Sequence, residues 1–238
     1  MNVESLTYKS KILAETQLTD IVECEGVYIV VGNNGFIART ENINNPDSWE
    51  EINHPQKGTG RGLHCIIYDG IPKRLVVVGQ HRTIMISDNL DKDFISKIAN
   101  DSTNNRTIYS IIYHSQSNRF LTNYSDLVTP WQMAYITSTN NGDSWTLSSF
   151  VYNYATGQMG YGYDVIYFNS VFISASYGDS TSSNGNRNGG IRTSSTFSSD
   201  SWTSRFGTTN ILGLAYNHKI AVAVGRNGTI TTSTNGIS

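Results

Sequence analysis

Asp20 and Asp164 occupy the same place in two short apolar runs, Thr19-Asp20-Ile21-Val22 and Tyr163-Asp164-Val165-Ile166-Tyr167. Two facing carboxylates are the minimum for ordinary glycoside hydrolysis. The matching residues of three related runs are Cys65, Ser110 and Gly213, and no Glu joins them, because Glu23 and Glu25 lie beyond the run. The pair therefore reads either as catalytic carboxylates or as acceptors for backbone N–H groups at the mouth of a channel. A second constellation is rich in aromatic and polar planar groups: Tyr124, Trp131, Tyr154, Tyr177, Asp179 and Arg187. Aromatic rings offer flat contact area to the C–H faces of sugars at modest entropic cost, and planar polar groups bond the hydroxyls. A third is cationic. His64, and His81 with Arg82, joined by Arg226, suit an anion such as a phosphate, which the guanidinium fork binds in bidentate fashion.

Other chemistries find little support. Gly157-Gln158-Met159-Gly160 lacks the Lys and the following helix of a phosphate loop. Asp126 and Asp179 match no calcium-loop spacing. Cys24 and Cys65 have no CxxC partner and no clustered His, and two cysteines make no disulfide framework, so both read as buried free thiols. The expectation is no cofactor and no metal. Of the 238 residues, 38% are hydrophobic and 15% charged, with a net charge of −2 and no basic run, which argues against nucleic-acid binding. No apolar stretch is long enough to span a membrane, and Met1-Asn2-Val3-Glu4-Ser5 has neither the basic nor the apolar region of a signal peptide. The expected setting is a virion or extracellular surface reached without a cleaved signal.

The elements that hold these residues form a repeat. Asn, Ser, Thr and 21 Gly favour turns and strands over helices. One phrase recurs about every 45–50 residues, the range of four-stranded propeller blades. First strands begin near Thr19, His64, Tyr109, Tyr163 and Leu212. Second strands follow over 28–32, 74–79, 119–123, 171–176 and 220–225. Third strands fall at 36–40, 83–87, 134–138, 190–194 and 229–233. An aromatic residue opens each fourth strand, at Trp49, Phe94, Trp145 and Trp202. The fifth copy stops where its fourth strand is due, and Leu6-Thr7-Tyr8-Lys9-Ser10 reads as a spare strand. The expected fold is all-β: a single domain over 1–238, a five-bladed β-propeller of four-stranded antiparallel blades, its ring closed by residues 1–11 pairing in the last blade.

The turn Ser138-Thr139-Asn140-Asn141-Gly142-Asp143-Ser144-Trp145, and the phrase Val222-Ala223-Val224-Gly225-Arg226-Asn227-Gly228-Thr229-Ile230-Thr231-Thr232-Ser233-Thr234-Asn235-Gly236, resemble the repeats of BNR/Asp-box propellers. That group includes sialidases, photosystem II assembly-factor propellers and propeller domains of bacteriophage tail and receptor-binding proteins. The five-bladed platform of phage receptor-binding proteins is similar in blade number. The resemblance implies a lectin-like host-attachment module with a bacterial surface glycan, and other tail or baseplate proteins, as partners. It equally admits a glycosidase-like enzyme or an assembly scaffold, since such folds host unrelated activities. The binding residues are expected where turns between second and third strands lengthen, over the third and fourth blades.

Overall fold

A computed structural model of the chain describes residues 15–69, 73–89, 93–97, 106–126, 132–147, 161–177, 189–196, 201–206 and 209–238. They form five antiparallel sheets, each a simple meander. The first holds β1 (Leu18–Cys24), β2 (Val27–Gly32), β3 (Phe36–Thr40) and β4 (Glu50–Glu51). The second holds β5 (Leu63–Asp69), β6 (Arg74–Gly79), β7 (Ile84–Ser87) and β8 (Ile95–Ser96). The third holds β9 (Thr107–His114), β10 (Arg119–Asp126), β11 (Gln132–Ser138) and β12 (Thr146–Leu147). The fourth holds β13 (Tyr161–Phe168), β14 (Val171–Tyr177), β15 (Gly190–Ser194) and β16 (Thr203–Phe206). The fifth has three strands among the described residues, β17 (Ile211–Tyr216), β18 (Ala221–Gly225) and β19 (Ile230–Ser233). No α-helix occurs among the described residues. Residues 1–14, with the expected closing strand, lie outside them.

The middle strands are buried on both faces, so they read as continuous apolar runs rather than alternating ones. Every residue of β6, Arg-Leu-Val-Val-Val-Gly, is buried. Outer strands are short and polar, as at Glu50 and Glu51, which discourages edge-to-edge pairing. The aromatic ahead of each outer strand pins it inward: Trp202 stacks on Tyr135 of the preceding sheet at 4.4 Å, and Trp145 lies 5.8 Å from Phe120. Its turn is held by side chains. Gly142, at φ +87°, donates its N–H to Ser138 Oγ at 2.8 Å, and Asn140 Oδ1 accepts from Ser144 N at 3.0 Å. Trp145 Nε1 donates to Gly142 O at 2.8 Å.

The core lies between sheets. Cys24, Ile29, Val31 and Ile37 pack on Leu63, Ile66, Val77 and Met85; Val78, Ile84 and Ile86 pack on Ile108, Ile111 and Phe120. Leu121 and Tyr135 pack on Val165 and Phe172; Ala175 and Ile173 meet Ile211, Ala221 and Ala223. First strands stand side by side in chain order, β1 on β5, β5 on β9, β9 on β13 and β13 on β17. The Arg74 guanidinium ties the second sheet to the third, bonding Asp88 at 2.5 and 3.0 Å, Asp143 at 2.9 Å and the Asn141 carbonyl.

The fifth and first sheets meet differently. Register places Val31, Val78, Asn123, Ala175 and Val224 at one repeat position. The first four are fully buried; Val224 is 45% exposed. Beside them on the third strands, Ile37, Ile84 and Tyr135 are fully buried, whereas Ile230 is 71% exposed. Across the junction Ile66, Ile111 and Val165 are buried, but the equivalent Ile21 is 51% exposed. No strand packing comparable to the other junctions joins β17 to β1. A cavity of about 130 Å³ also opens between the fourth and fifth sheets, lined by Ile173, Ile191, Phe206, Leu214, Ala221 and Gly236. It lies where an outer-strand aromatic packs on the preceding sheet elsewhere, as Phe94, Trp145 and Trp202 do.

Candidate functional site

The five first strands share a distortion near their starts. Register slips by one residue at Thr19, His64, Tyr109, Tyr163 and Leu212, each a bulge against its second strand. A bulge breaks strict alternation and re-aims one side chain. In the first four sheets the residue after the bulge, Asp20, Cys65, Ser110 or Asp164, then faces the next sheet; the fifth has Gly213 there. Asp20 Oδ2 accepts from Ile66 N at 2.9 Å, and its Oδ1 from Ile21 N at 2.8 Å. Asp164 Oδ2 accepts from Leu214 N at 2.7 Å; its Oδ1 takes Ser110 Oγ at 2.9 Å and Val165 N at 2.8 Å. Cys65 receives the Ile111 N–H in the same manner. These side chains join one sheet to the next through its backbone.

That geometry accounts for the two aspartates without catalysis. Both Asp164 oxygens already accept hydrogen bonds. Burial raises its pKa; the Leu214, Ser110 and Val165 bonds pull the other way, and the Asp20 charge adds to the rise. Burial likewise pushes the Cys65 thiol well up, with Asp20 and Asp164 adding repulsion, so it is a poor nucleophile at neutral pH. Among the described residues, no group of three His, Cys, Asp or Glu is arranged to hold a metal ion.

The bulge residues themselves form the feature that reading the residues one by one missed. His64, Tyr109 and Tyr163 come from three successive sheets and touch in a ladder. His64 and Tyr109 have ring centroids 5.0 Å apart at 35°; Tyr109 and Tyr163 are stacked at 4.7 Å and 13°. All three are half-buried. Burial lowers the pKa of His64, so its imidazole is neutral near pH 7 and contributes no charge to an anion site. Its Nε2 is shielded and bonds nothing among the described residues. Thr19 and Leu212 complete the set on the first and fifth sheets. The sequence signal was present, since the residue before each aligned Asp20-type position is Thr, His, Tyr, Tyr or Leu.

Two constructions share this end of the molecule. In the first, second and fifth sheets the second strand ends at Gly32, Gly79 and Gly225. A Cβ at Gly79 would stand 2.3 Å from Gly62 O, with 2.5 and 2.1 Å at Gly32 and Gly225. The incoming connection crosses there, and the next residue bonds it: Asn33 N to Gln17 O at 2.9 Å, Gln80 N to Gly62 O at 2.8 Å and Arg226 N to Asn210 O at 2.9 Å. Short left-handed turns follow, Asn34-Gly35, His81-Arg82 and Asn227-Gly228. Arg82, at φ +54°, stands where the others use Gly, a conformation that costs a non-glycine residue about 1–2 kcal/mol. The third and fourth sheets have Tyr124 and Ser176 in place of that glycine, and pairing runs on. β10 and β11 extend to Asp126 opposite Gln132, and β13 and β14 to Tyr161 opposite Tyr177. Residues 123–126 and 132, expected within one long loop, are therefore strand.

The expected contact residues distribute accordingly. Tyr124 lies on β10 between Ala134 and Ile108, and Tyr177 ends β14. His81 and Arg82 sit in the second sheet's turn and Arg226 at the same turn of the fifth, so they belong to sheets that are not neighbours. Trp131, Tyr154, Asp179 and Arg187 lie outside the described residues.

No protein-family model and no curated protein matches the chain. Solved structures do, at low identity. The extracellular domain of the putative one component system BT4673 from B. thetaiotaomicron matches with TM-score 0.68 and 8% identity, over 95% of this chain and 28% of that one. YCF48 from Cyanidioschyzon merolae gives 0.60 and 12%, over 93% and 70%. The WD40 β-propeller domain of Doa1 gives 0.60 and 11%, over 92% and 66%. The chain is a β-propeller in fold.

Proposed function

We propose that this chain is a non-catalytic recognition module for a cell-surface glycan or teichoic-acid-like polymer, carried by a phage tail or phage-like particle on a virion or extracellular surface. The observation behind the glycan reading is the asymmetry of one face. Two adjacent sheets replace the strand-ending glycine and extend their strand pairing, and the contact residues proposed from the sequence are Tyr124, Trp131, Tyr154, Tyr177, Asp179 and Arg187. His81 and Arg82 flank them, with Arg226 at a greater distance, as contacts for a polymer phosphate. The phage setting, and tail or baseplate partners, rest on the resemblance of 222–236 to Asp-box repeats. The test is an array of bacterial glycans and glycerol-phosphate polymers, with parallel assay of product release. Binding without turnover supports the reading; turnover returns Asp20 and Asp164 to a catalytic role.

The fold reading that accompanies it is a five-bladed ring closed by residues 1–11 on the edge of β19. Deleting residues 1–11 is expected to leave an aggregation-prone edge. A monomeric truncation of equal stability refutes the closure. A second reading, a protein-assembly scaffold, draws support from the exposed Ile21, Val224 and Ile230. Silence on the array together with a stable protein complex favours it.

A further inference from the structure

One turn type serves two sheets differently. Asn34-Gly35 in the first sheet and Asn227-Gly228 in the fifth share a left-handed backbone, at φ +58° and +66° and at +58° and +69°. A Cβ at Gly228 would meet nothing within 4 Å, whereas one at Gly35 would stand 1.9 Å from Gln56 O. Residues 52–62, on their way from β4 to β5, are folded down onto the first turn. Asn34 holds them with both of its oxygens: its carbonyl accepts from Gly58 N at 3.1 Å and its Oδ1 from Gly60 N at 2.9 Å. His54, which is buried, locks the base. Its Nε2 lies 2.7 Å from Gly35 O, and its Nδ1 accepts from Gln56 N at 3.2 Å. Those two partners require the neutral imidazole with its proton on Nε2.

Beside the turn this leaves an open cleft of about 540 Å³, a size that suits a small-molecule ligand. Thr16, Asn33, Phe36, Glu51, Lys57 and Gly58 line it. Glu51, Lys57 and Gly58 are exposed and Thr16 and Asn33 half-buried, so the polar groups are reachable from solvent, while buried Phe36 is the apolar part of the lining. Lys57 Nζ lies 3.2 Å from Glu51 Oε2, so their charges offset, and Glu15 in the same lining leaves the cleft net acidic. A phosphate is disfavoured there. A hydroxyl-rich ring is suited: carboxylates accept from hydroxyls, the ammonium and amide groups donate to them, and the Thr16 hydroxyl does both.

We propose that the cleft between the Asn33-Asn34 turn and Lys57-Gly58 binds a neutral sugar unit of the recognised glycan. This rests on the glycan reading and adds a subsite to it, over the first sheet and at the same strand ends as the His81-Arg82 turn. The polymer's phosphate falls to Arg82, and an uncharged, hydroxyl-bearing unit falls to the cleft. Asn34 and His54 fix the walls before a ligand arrives, so binding carries little cost of ordering the loop.

The experiment uses the full chain and its Glu51→Ala, Asn33→Ala and Glu51→Trp variants on an array of neutral hexose and N-acetylhexosamine oligosaccharides and of bare glycerol-phosphate polymer. Thermal unfolding first establishes that each variant is folded, and Lys57→Ala, at an exposed position, replaces any that is not. Lys219→Ala, on an exposed turn at the opposite ends of the strands, is the control. The expected result is a loss of about tenfold or more in affinity for the neutral probes in the alanine variants, about 1.4 kcal/mol, with Lys219→Ala unchanged. Glu51→Trp, which sets a bulky ring in the cleft, is expected to lose more. Wild-type binding to the neutral probes with the cleft variants undiminished overturns the subsite and leaves the glycan reading intact. Wild-type binding only to the bare polymer overturns the subsite too. No wild-type binding anywhere overturns the glycan reading itself, and the subsite with it.

Discussion

Four junctions between neighbouring sheets differ from the fifth. At the four, first strands stand together and side chains of Asp20, Cys65, Ser110 or Asp164 reach across. Between the fifth and first sheets the bridging position is Gly213, with no side chain to reach, and Val224, Ile230 and Ile21 stay largely exposed. The residues at the seam are as apolar as their buried counterparts. A repeat therefore specifies a strand and its register, and the neighbouring sheet decides whether a given Val or Ile becomes core.

The sharpest way to break this comparison is to put one charge at one repeat position in both settings. Val78→Asp buries an unpaired carboxylate and is expected to cost about 3–5 kcal/mol in urea unfolding. Val224→Asp is expected to cost under about 1 kcal/mol, as at a surface position. Equal losses would mean that the seam packs shut in solution. Next comes the contrast between strand ends. Gly79→Ala sets a Cβ 2.3 Å from Gly62 O and should cost about 1–3 kcal/mol, whereas Ser176→Gly, where pairing runs on, should cost less; a neutral Gly79→Ala contradicts the crossing.

The smallest effect tests the bridging carboxylates. Burial raises the pKa of Asp164 in the folded state, so the native protein holds that proton more tightly than the unfolded chain. Its contribution is full below the unfolded carboxylate value and declines as pH rises through the higher folded value. Asp164→Asn keeps one acceptor, should cost about 1 kcal/mol, and should remove that part of the pH slope, read from unfolding midpoints between acid and neutral pH. An unchanged slope would show that Asp164 titrates normally.

Much of the fold was legible because β-branched runs, Val-Gly endings and the aromatics before each outer strand mark every repeat. β3, β6 and β15 match their expected bounds. The extension of β10 was not legible: Tyr124-Ser125-Asp126 is polar and followed by Pro130, so it reads as loop, and only pairing with Gln132–Ala134 makes it strand. Aligning Asp20 with Asp164 was correct in register and incomplete in meaning, since the donors to their carboxylates are amides of the next sheet, which no single repeat contains. The aromatic ladder escaped for a related reason. His64, Tyr109 and Tyr163 are about 45–54 residues apart in sequence, and a one-residue bulge has no composition of its own.

Hydrogen exchange with and without a glycan that binds on the array tests the proposed recognition face. Added protection is expected at the tops of β5, β9, β10, β11 and β13, around His64, Tyr109 and Tyr163. Protection centred instead on β18 and β19, at Val224 and Ile230, would contradict it and place the ligand at the seam.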